Sequence, residues 1–183
     1  MKLIGIGGLK GCGKTTIARH LHLVAAQHRT RAITHSFATP MKAMANLLMT
    51  QVGLTDDQRI HYLDNKEEPI TALGGHTMRY ILQTMGTEWG RDCLGGDFWS
   101  DIGRNKIARS QADLVIFDDV RFTNECEMIK HEGGQVVQLV RYSVEADDGH
   151  PSEAMEYVPD HVVHNNDEPM RVAEYIWKEI SKT

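Results

Sequence analysis

The chain of 183 residues contains 41% hydrophobic and 25% charged residues, a composition typical of one compact globular domain. Disordered and fibrous proteins are excluded by this balance. The 20 Lys and Arg residues against 25 Asp and Glu residues give a formal net charge of −5, which argues against a protein that wraps a nucleic-acid polymer. Since no segment is long and apolar enough for a membrane span, we expect neither a nucleic-acid polymer nor a membrane as partner.

The three cysteines, Cys12, Cys93 and Cys126, form neither an even set nor a CxxC pair. They therefore predict reduced thiols rather than a disulfide framework. The amino-terminal run Met1–Lys10 is too short and too rich in glycine for a secretory signal. We therefore expect a cytoplasmic protein.

Apolar runs of strand length alternate with segments in which the apolar residues follow helical spacing. The predicted elements are, in chain order, a strand at Lys2–Gly7, a helix around Ile17–Val24, a strand at Ala32–Phe37, a helix at Ala38–Val52, a polar, irregular and mobile insertion at Leu54–Thr77, a helix from Met78, a helix at Asp97–Ser110, a strand at Leu114–Phe117, a helix at Phe122–His131, a strand at Gln135–Val140, a polar excursion at Tyr142–Pro159, a strand at His161–Val163 and a closing helix at Val172–Ile180. About five strands separated by helices predict an α/β fold with a parallel sheet covered on both faces.

Residues Gly8–Thr15 read G-x-x-x-x-G-K-T and stand between a predicted strand and a predicted helix, as a phosphate-binding loop (P-loop) requires. In such a loop, backbone N–H groups converge on phosphate oxygens, Lys14 reaches the β- and γ-phosphates, and the Thr15 hydroxyl can bind Mg²⁺. The motif predicts a three-layer P-loop NTPase fold. Its expected ATP and phosphate contacts are Gly8, Lys10, Gly11, Cys12, Gly13, Lys14, Thr15 and Thr16.

The apolar run Leu114–Phe117 ends in Asp118 and Asp119, a pattern typical of the strand whose carboxylate faces a P-loop and assists the metal. Adjacent strand residues point to opposite faces, so at most one of the two carboxylates should face the nucleotide. Alternation alone does not choose between them.

The remaining polar residues indicate which class of nucleotide-binding protein this is. The nearest string to a guanine-reading Asn-Lys-x-Asp is Asn65–Glu68, which lies in a polar stretch rather than after a buried strand. Arg79 and Gln83 share one stripe of a predicted helix, and Arg79 and Arg91 can each grip a phosphate with a guanidinium fork. Trp99 offers a flat face for stacking a base, although a tryptophan is also a common core residue.

The motifs Arg79–Arg91 (R-x-x-L-Q-x-x-G-T-E-x-G-R), Phe98–Trp99 and Asp119–Glu125 (D-V-R-F-x-N-E) resemble the phage-type deoxynucleoside monophosphate kinase family. The resemblance covers most of the chain. It implies a P-loop kinase domain over residues 1–183, with a helical acceptor-binding region at about 38–110 and a lid at about 142–159. It also implies Mg²⁺ as cofactor, ATP and a deoxynucleoside monophosphate as ligands and, for a phage-encoded protein, the host cytoplasm. The number of subunits stays open, a homodimer included.

The resemblance also assigns roles to residues. It implies that Arg79 and Trp99 contact the acceptor nucleotide, and Gln83 and Arg91 are grouped with them as substrate-binding residues. The resemblance implies that Asp119, Arg121 and Glu125 line the catalytic centre. Together with the P-loop motif, the expected site comprises Lys14, Asp119, Arg121 and Glu125 as catalytic residues, Thr15 and Asp119 at the metal, and Arg141 and Asn165 near ATP. For Glu125 an ion pair with Arg121 at i, i+4 is an equal interpretation, and Arg141 is alternatively a solvated charge.

The sequence thus predicts a kinase that transfers the γ-phosphoryl group of ATP to a deoxynucleoside 5′-monophosphate. Two alternatives stay open. One is a kinase for another small phosphorylated acceptor, of the phosphomevalonate or dephospho-coenzyme A type. The other is a nucleotide-gated assembly ATPase, which would hydrolyse ATP without any acceptor.

Overall fold

The computed structural model describes residues 1–142 and 156–182, which form two compact units. Unit 1 comprises Met1–Phe37 and Ser100–Thr183, and unit 2 comprises Ala38–Trp99. Most of the lid expected at 142–159 lies outside the described residues.

Unit 1 is built on a five-stranded sheet in which every neighbouring pair of strands is parallel. Its strands are β1 (Lys2–Gly7), β2 (Ala32–His35), β5 (Leu114–Val120), β6 (Gln135–Val140) and β7 (His161–His164), and its helices are α1 (Lys14–Gln27), α5 (Phe98–Arg109, which begins in unit 2), α6 (Thr123–His131) and α7 (Pro169–Ile180). The strand order is β2-β5-β1-β6-β7. This order places β1, and therefore the P-loop that follows it, at the centre of the sheet.

The two faces of the sheet are covered by different helices, which confirms the predicted three-layer arrangement. On one face Ile4 and Ile6 of β1 pack with the buried apolar stripes of α1 and α7. On the other face Leu3, Val115 and Phe117 pack with apolar residues of α5 and α6. Burial on both faces explains why these strands read as continuous apolar runs rather than as alternating patterns.

Unit 2 is a small helical unit with its own apolar core. Its elements are α2 (Thr39–Gln51), α3 (Asp56–Asp64), the short strands β3 (Pro69–Ile70) and β4 (His76–Thr77) around a 3₁₀ turn (Thr71–Leu73), α4 (Met78–Thr84) and a π-helix (Met85–Cys93). The buried side chains of Ala45, Met49, Ile70 and Met78 join α2, the short strands and α4 in one cluster.

The prediction of an irregular insertion at Leu54–Thr77 is wrong, because α3 and the β3–β4 pair lie within it. Helix α3 begins with a capping box, in which the Gln58 N–H donates to the Thr55 hydroxyl and the Thr55 N–H donates to the Gln58 side chain. The box was visible in the sequence as T-x-x-Q. The polar composition of α3, which buries no side chain fully, masked it.

Among residues 1–142 and 156–182, no helix is both long and apolar enough to cross a membrane.

We predict that Gly134→Ala destabilises unit 1. A Cβ atom at position 134 would lie 2.7 Å from Leu3 Cγ and 2.9 Å from the Leu3 carbonyl oxygen, so the turn before β6 has no room for it. Overpacking of this kind costs about 1–3 kcal/mol of unfolding free energy. Urea unfolding measures the loss, and Gly96→Ala is the control because nothing lies within 4 Å of its added Cβ. Equal stability of the two variants would contradict the packing described for Gly134.

Candidate active site

The P-loop runs from the end of β1 to the start of α1 and takes backbone conformations that favour glycine. Gly8, Gly11 and Gly13 have φ angles of 134°, 84° and 96°. These left-handed residues let the chain curl until the amides of the loop and of the first turn of α1 converge, which creates an anion-binding concavity. The motif therefore folds as a curled loop between β1 and α1, the conformation that a phosphate-binding loop requires.

Lys14 lies folded over its own loop. Its ammonium group donates to the carbonyl oxygens of Gly8, at 2.7 Å, and Leu9, at 2.8 Å. The hydroxyls of Thr15 and Thr16 follow in the first turn of α1, and both residues are exposed. One cation and two hydroxyls therefore stand at the helix end that favours anions.

Asn165, which follows β7, is buried and holds the P-loop from outside. Its side-chain N–H group donates to the Cys12 carbonyl oxygen at 2.8 Å. A Cβ atom on Gly13 would lie 2.4 Å from the same Asn165 nitrogen, so the amide packs directly against the loop backbone. Asn165, which was predicted to lie near ATP, thus contacts the backbone of the P-loop.

Asp118 and Asp119 lie within β5 at an irregularity of its pairing with β1. Gly5 pairs with Phe117 but Gly7 pairs with Val120, so β5 places two residues opposite one residue of β1. The Asp119 carboxylate is held at the end of β2, where it accepts the Phe37 N–H at 2.8 Å and the Ser36 hydroxyl. A bulge is a usual device for re-aiming a side chain beside an active site.

Two basic side chains, Lys106 and His35, lie at the same end of β2. The Lys106 ammonium donates to the Ser36 carbonyl oxygen at 3.2 Å. Burial lowers the pKa of Lys106, and the negative charge of Asp119 opposes that shift. Burial and the positive charge of Lys106 also lower the pKa of His35. The end of β2 therefore gathers a carboxylate, an ammonium and an imidazole in partly dry surroundings.

Glu125 is buried with 2% of its surface exposed and stabilises the turn between β5 and α6. Its carboxylate accepts the backbone N–H of Arg121 at 2.9 Å and that of Phe122 at 3.2 Å. Glu125 thus holds the backbone at Arg121 and Phe122. The geometry favours a role for Glu125 in positioning Arg121.

Tyr157 is a buried residue that the sequence reasoning missed. Its hydroxyl lies 1.8 Å from the Cβ position of Gly7, the residue before the P-loop, and has no hydrogen-bond partner among the described residues. Burial raises the pKa of Tyr157, and the nearby Cys126, Glu125 and Cys12 add to the shift. A tyrosine in a polar stretch gives no periodic signal from which this contact could have been predicted.

In unit 2 the Arg79–Arg91 motif begins on α4 and continues as a π-helix, a form that often occurs at functional sites. The Gly86 carbonyl oxygen accepts the Arg91 guanidinium at 2.9 Å and the Trp99 indole N–H at 2.9 Å. The Trp99 ring is 1% exposed and packs on Gly90, where a Cβ atom would lie 2.3 Å from its nitrogen. The structure therefore places Trp99 in the packing around Arg91.

The other predicted acceptor residues lie on α4. Arg79 and Gln83 are both half-buried, one turn apart on that helix. The Arg79 guanidinium forms an ion pair with Glu67, from the turn that precedes β3. Arg141, at the end of β6, is exposed.

The sequence of this chain is similar to those of known kinases. A sequence model described as deoxynucleotide monophosphate kinase matches residues 45–174. A deoxynucleotide monophosphate kinase homologue of Acanthamoeba polyphaga mimivirus is 34% identical over 167 residues, which cover 84% of this chain and 81% of that protein. The chain belongs to the deoxynucleotide monophosphate kinase family. This membership confirms the predicted family and the predicted class of enzyme, an ATP-dependent phosphotransferase.

A second sequence relative and a solved structure add to this comparison. The deoxynucleoside-5′-monophosphate kinase of Escherichia phage T5 is 31% identical over 100 residues, which cover 50% of this chain and 39% of that protein. Among solved structures, shikimate kinase from Acinetobacter baumannii in complex with shikimate matches 100% of this chain and 94% of its own, with a TM-score of 0.54 and 15% identity. This structural likeness confirms the P-loop kinase fold.

For this kinase family member we predict that Asn165→Ala weakens ATP binding about tenfold, because the buried Cys12 carbonyl loses its donor. Asn165→Asp should weaken binding further, since it sets a carboxylate oxygen against that carbonyl. Titration calorimetry with ATP measures both. Asn166→Ala is the control, because the Asn166 side chain accepts a bond from the Tyr142 N–H instead. Unchanged ATP affinity in Asn165→Asp would show that the P-loop keeps its shape without this contact.

Proposed function

We propose that this protein transfers the γ-phosphoryl group of ATP to the 5′-phosphate of a deoxynucleoside monophosphate, giving a deoxynucleoside diphosphate and ADP. The observation that carries the proposal is the P-loop at Gly8–Thr15, at the centre of the sheet, in a chain of this family.

The donor side is formed by the P-loop. The converging amides of Gly8–Thr15 bind the phosphate oxygens of ATP, and Lys14 exchanges its carbonyl partners for β- and γ-phosphate oxygens. Cys12, whose side chain is buried, contributes its backbone only. Lys10, Gly11 and Thr16 border the same concavity.

The donor set at this end of the sheet also fits Mg²⁺, which prefers hydroxyl and carboxylate oxygens. Thr15 and Asp119 would hold the ion on the protein side. When bound, it would neutralise part of the charge on the triphosphate.

The acceptor side is assigned to unit 2. Arg79, Gln83 and Arg91 bind the acceptor, the two arginines as forks for its phosphate. Trp99 helps to orient Arg91, since both side chains donate to the Gly86 carbonyl oxygen.

No general base is needed to create the nucleophile. A phosphate monoester loses its second proton near pH 6, so the acceptor is largely dianionic at pH 7. Catalysis is then alignment of two anions and stabilisation of the charge on the transferring group. Lys14 and Arg121 supply that stabilisation, and Glu125 holds the backbone of Arg121 in place.

A product analysis tests the proposal. The protein is incubated with ATP, Mg²⁺ and each of the four common deoxynucleoside monophosphates, their ribose counterparts, phosphomevalonate or dephospho-coenzyme A. A deoxynucleoside diphosphate formed in step with ADP supports it. ADP release without any acceptor, or transfer to one of the other acceptors alone, would overturn it.

We predict that Lys14→Ala and Arg121→Ala each lower kcat at least about a hundredfold. Each substitution removes a positive charge that stabilises the transferring phosphoryl group. A coupled assay of ADP release measures the rate, and the melting temperature serves as the folding control. Near-normal turnover in either variant would remove the role assigned to that residue.

We predict that Trp99→Phe raises the KM for the acceptor more than the KM for ATP. The substitution keeps an apolar ring but removes the N–H that shares the Gly86 carbonyl with Arg91. Steady-state kinetics with each substrate varied in turn measures the two constants. Trp89→Phe is the matched control, because Trp89 lies in the π-helix that contains Gly86 and Arg91 and is 40% exposed. An effect of Trp99→Phe on thermal stability alone would mean that the residue serves only the core.

We predict that Glu67→Gln lowers the KM for the acceptor about two- to fivefold. The Glu67 carboxylate occupies the guanidinium of Arg79, so the acceptor phosphate must displace it, and an exposed pair of this kind contributes up to about 1 kcal/mol. The neighbouring variant Glu68→Gln is the control, because Glu68 pairs with His61 instead. A raised KM in Glu67→Gln would indicate that Glu67 helps to orient Arg79.

A further inference from the structure

The Asp119 carboxylate is held by two donors from one short segment. The Phe37 N–H donates to one carboxylate oxygen at 2.8 Å, and the Ser36 hydroxyl donates to the other. Both donors follow β2 directly. Since each oxygen has its own donor, rotation of the carboxylate about its last bond would break both contacts.

Lys106 completes this group from a third element. Its ammonium donates to the carbonyl oxygen of Ser36 at 3.2 Å, on the residue whose hydroxyl binds Asp119. Burial lowers the pKa of Lys106, and the negative charge of Asp119 raises it and so favours the charged ammonium. A half-buried carboxylate thus has a half-buried cation close to it, which offsets the cost of desolvating both.

The three segments have particular places in the chain. Ser36 and Phe37 are the last residues of unit 1 before the chain enters unit 2, and Lys106 lies on α5, the helix by which the chain returns. Asp119 lies at the irregularity of β5. The strand pairing does not itself fix the carboxylate at such a bulge, so contacts from outside the strand must do so.

We propose that Ser36 and Lys106 are positioning residues for Asp119, which hold its carboxylate in the single orientation that phosphoryl transfer requires. The inference rests on the proposed function for the role of Asp119 in the reaction. Neither Ser36 nor Lys106 belongs to the motifs that carry the family resemblance. Their action is indirect and passes through Asp119.

A double-mutant cycle tests the proposal. Ser36→Ala and Lys106→Met are each made in the wild-type protein and in Asp119→Asn. In the wild-type protein we expect each to lower kcat about 10- to 100-fold, the range found when the outer partner of a site carboxylate is removed. The KM for ATP should change less than about twofold. In Asp119→Asn the same substitutions should change kcat less than about twofold, because the group that they position is already altered.

Two further variants sharpen the result. Lys106→Arg keeps the charge and the donor, so it should retain at least about a third of the wild-type kcat. Lys130→Met is the matched control, since Lys130 is also half-buried and donates to a backbone carbonyl, that of Val158, at 2.8 Å. It should leave kcat within about twofold. Equal losses in the wild-type and Asp119→Asn backgrounds, or a fall in melting temperature without a fall in kcat, would overturn the proposal.

A second readout does not depend on activity. Urea unfolding is measured for wild type, Ser36→Ala, Asp119→Asn and the double variant. The losses of unfolding free energy should be less than additive, because each substitution alone already weakens the same contact between Ser36 and Asp119. Additive losses would overturn the contact itself. A wild-type protein that phosphorylates no deoxynucleotide, combined with non-additive unfolding, would refute the proposed function while leaving Ser36 coupled to Asp119. That combination would overturn only the catalytic part of the inference.

Discussion

The shape of the P-loop depends on the absence of side chains where other segments press against it. A Cβ atom on Gly8 would lie 2.4 Å from the Leu139 carbonyl oxygen, and one on Gly13 would meet Asn165. The loop is therefore packed between its own helix and segments of β6 and the end of β7. The P-loop near the start of the chain is thus held by residues more than a hundred positions later.

Backbone groups also hold charged side chains within each unit. In unit 1 the Phe37 N–H donates to Asp119 and the Arg121 N–H donates to Glu125. In unit 2 the Gly86 carbonyl oxygen accepts a hydrogen bond from the Arg91 guanidinium. Backbone donors and acceptors are fixed by the secondary structure, so a side chain bound to them loses little further freedom when a ligand arrives. Such preorganisation is the main means by which a site stabilises developing charge.

The sequence predicted the parallel sheet, the P-loop and the family, because these depend on apolar runs and on a motif whose spacing has a mechanism. It did not predict the capped helix α3, whose polar surface hides its periodicity. It also did not predict the bulge in β5, which breaks the regular alternation expected at Asp118 and Asp119.

Contacts between distant segments were also beyond the sequence. Ser36 is 70 positions before Lys106 and 83 positions before Asp119, and no local sequence pattern links the three residues. Trp99 illustrates the opposite case, since a resemblance identified the residue while only the structure revealed its burial.

The π-helix Met85–Cys93 has one consequence for how this chain tolerates change in length. Each hydrogen-bonded ring of this segment encloses one residue more than a ring of an α-helix, because the hydrogen bonds run from i to i+5 rather than to i+4. Loss of a single residue there would favour the commoner helix and rotate everything beyond the deletion about the axis. Arg91 would then leave the Gly86 carbonyl that orients it, so an evolutionary lineage that shortened this segment would also have to rebuild the contacts of Arg91.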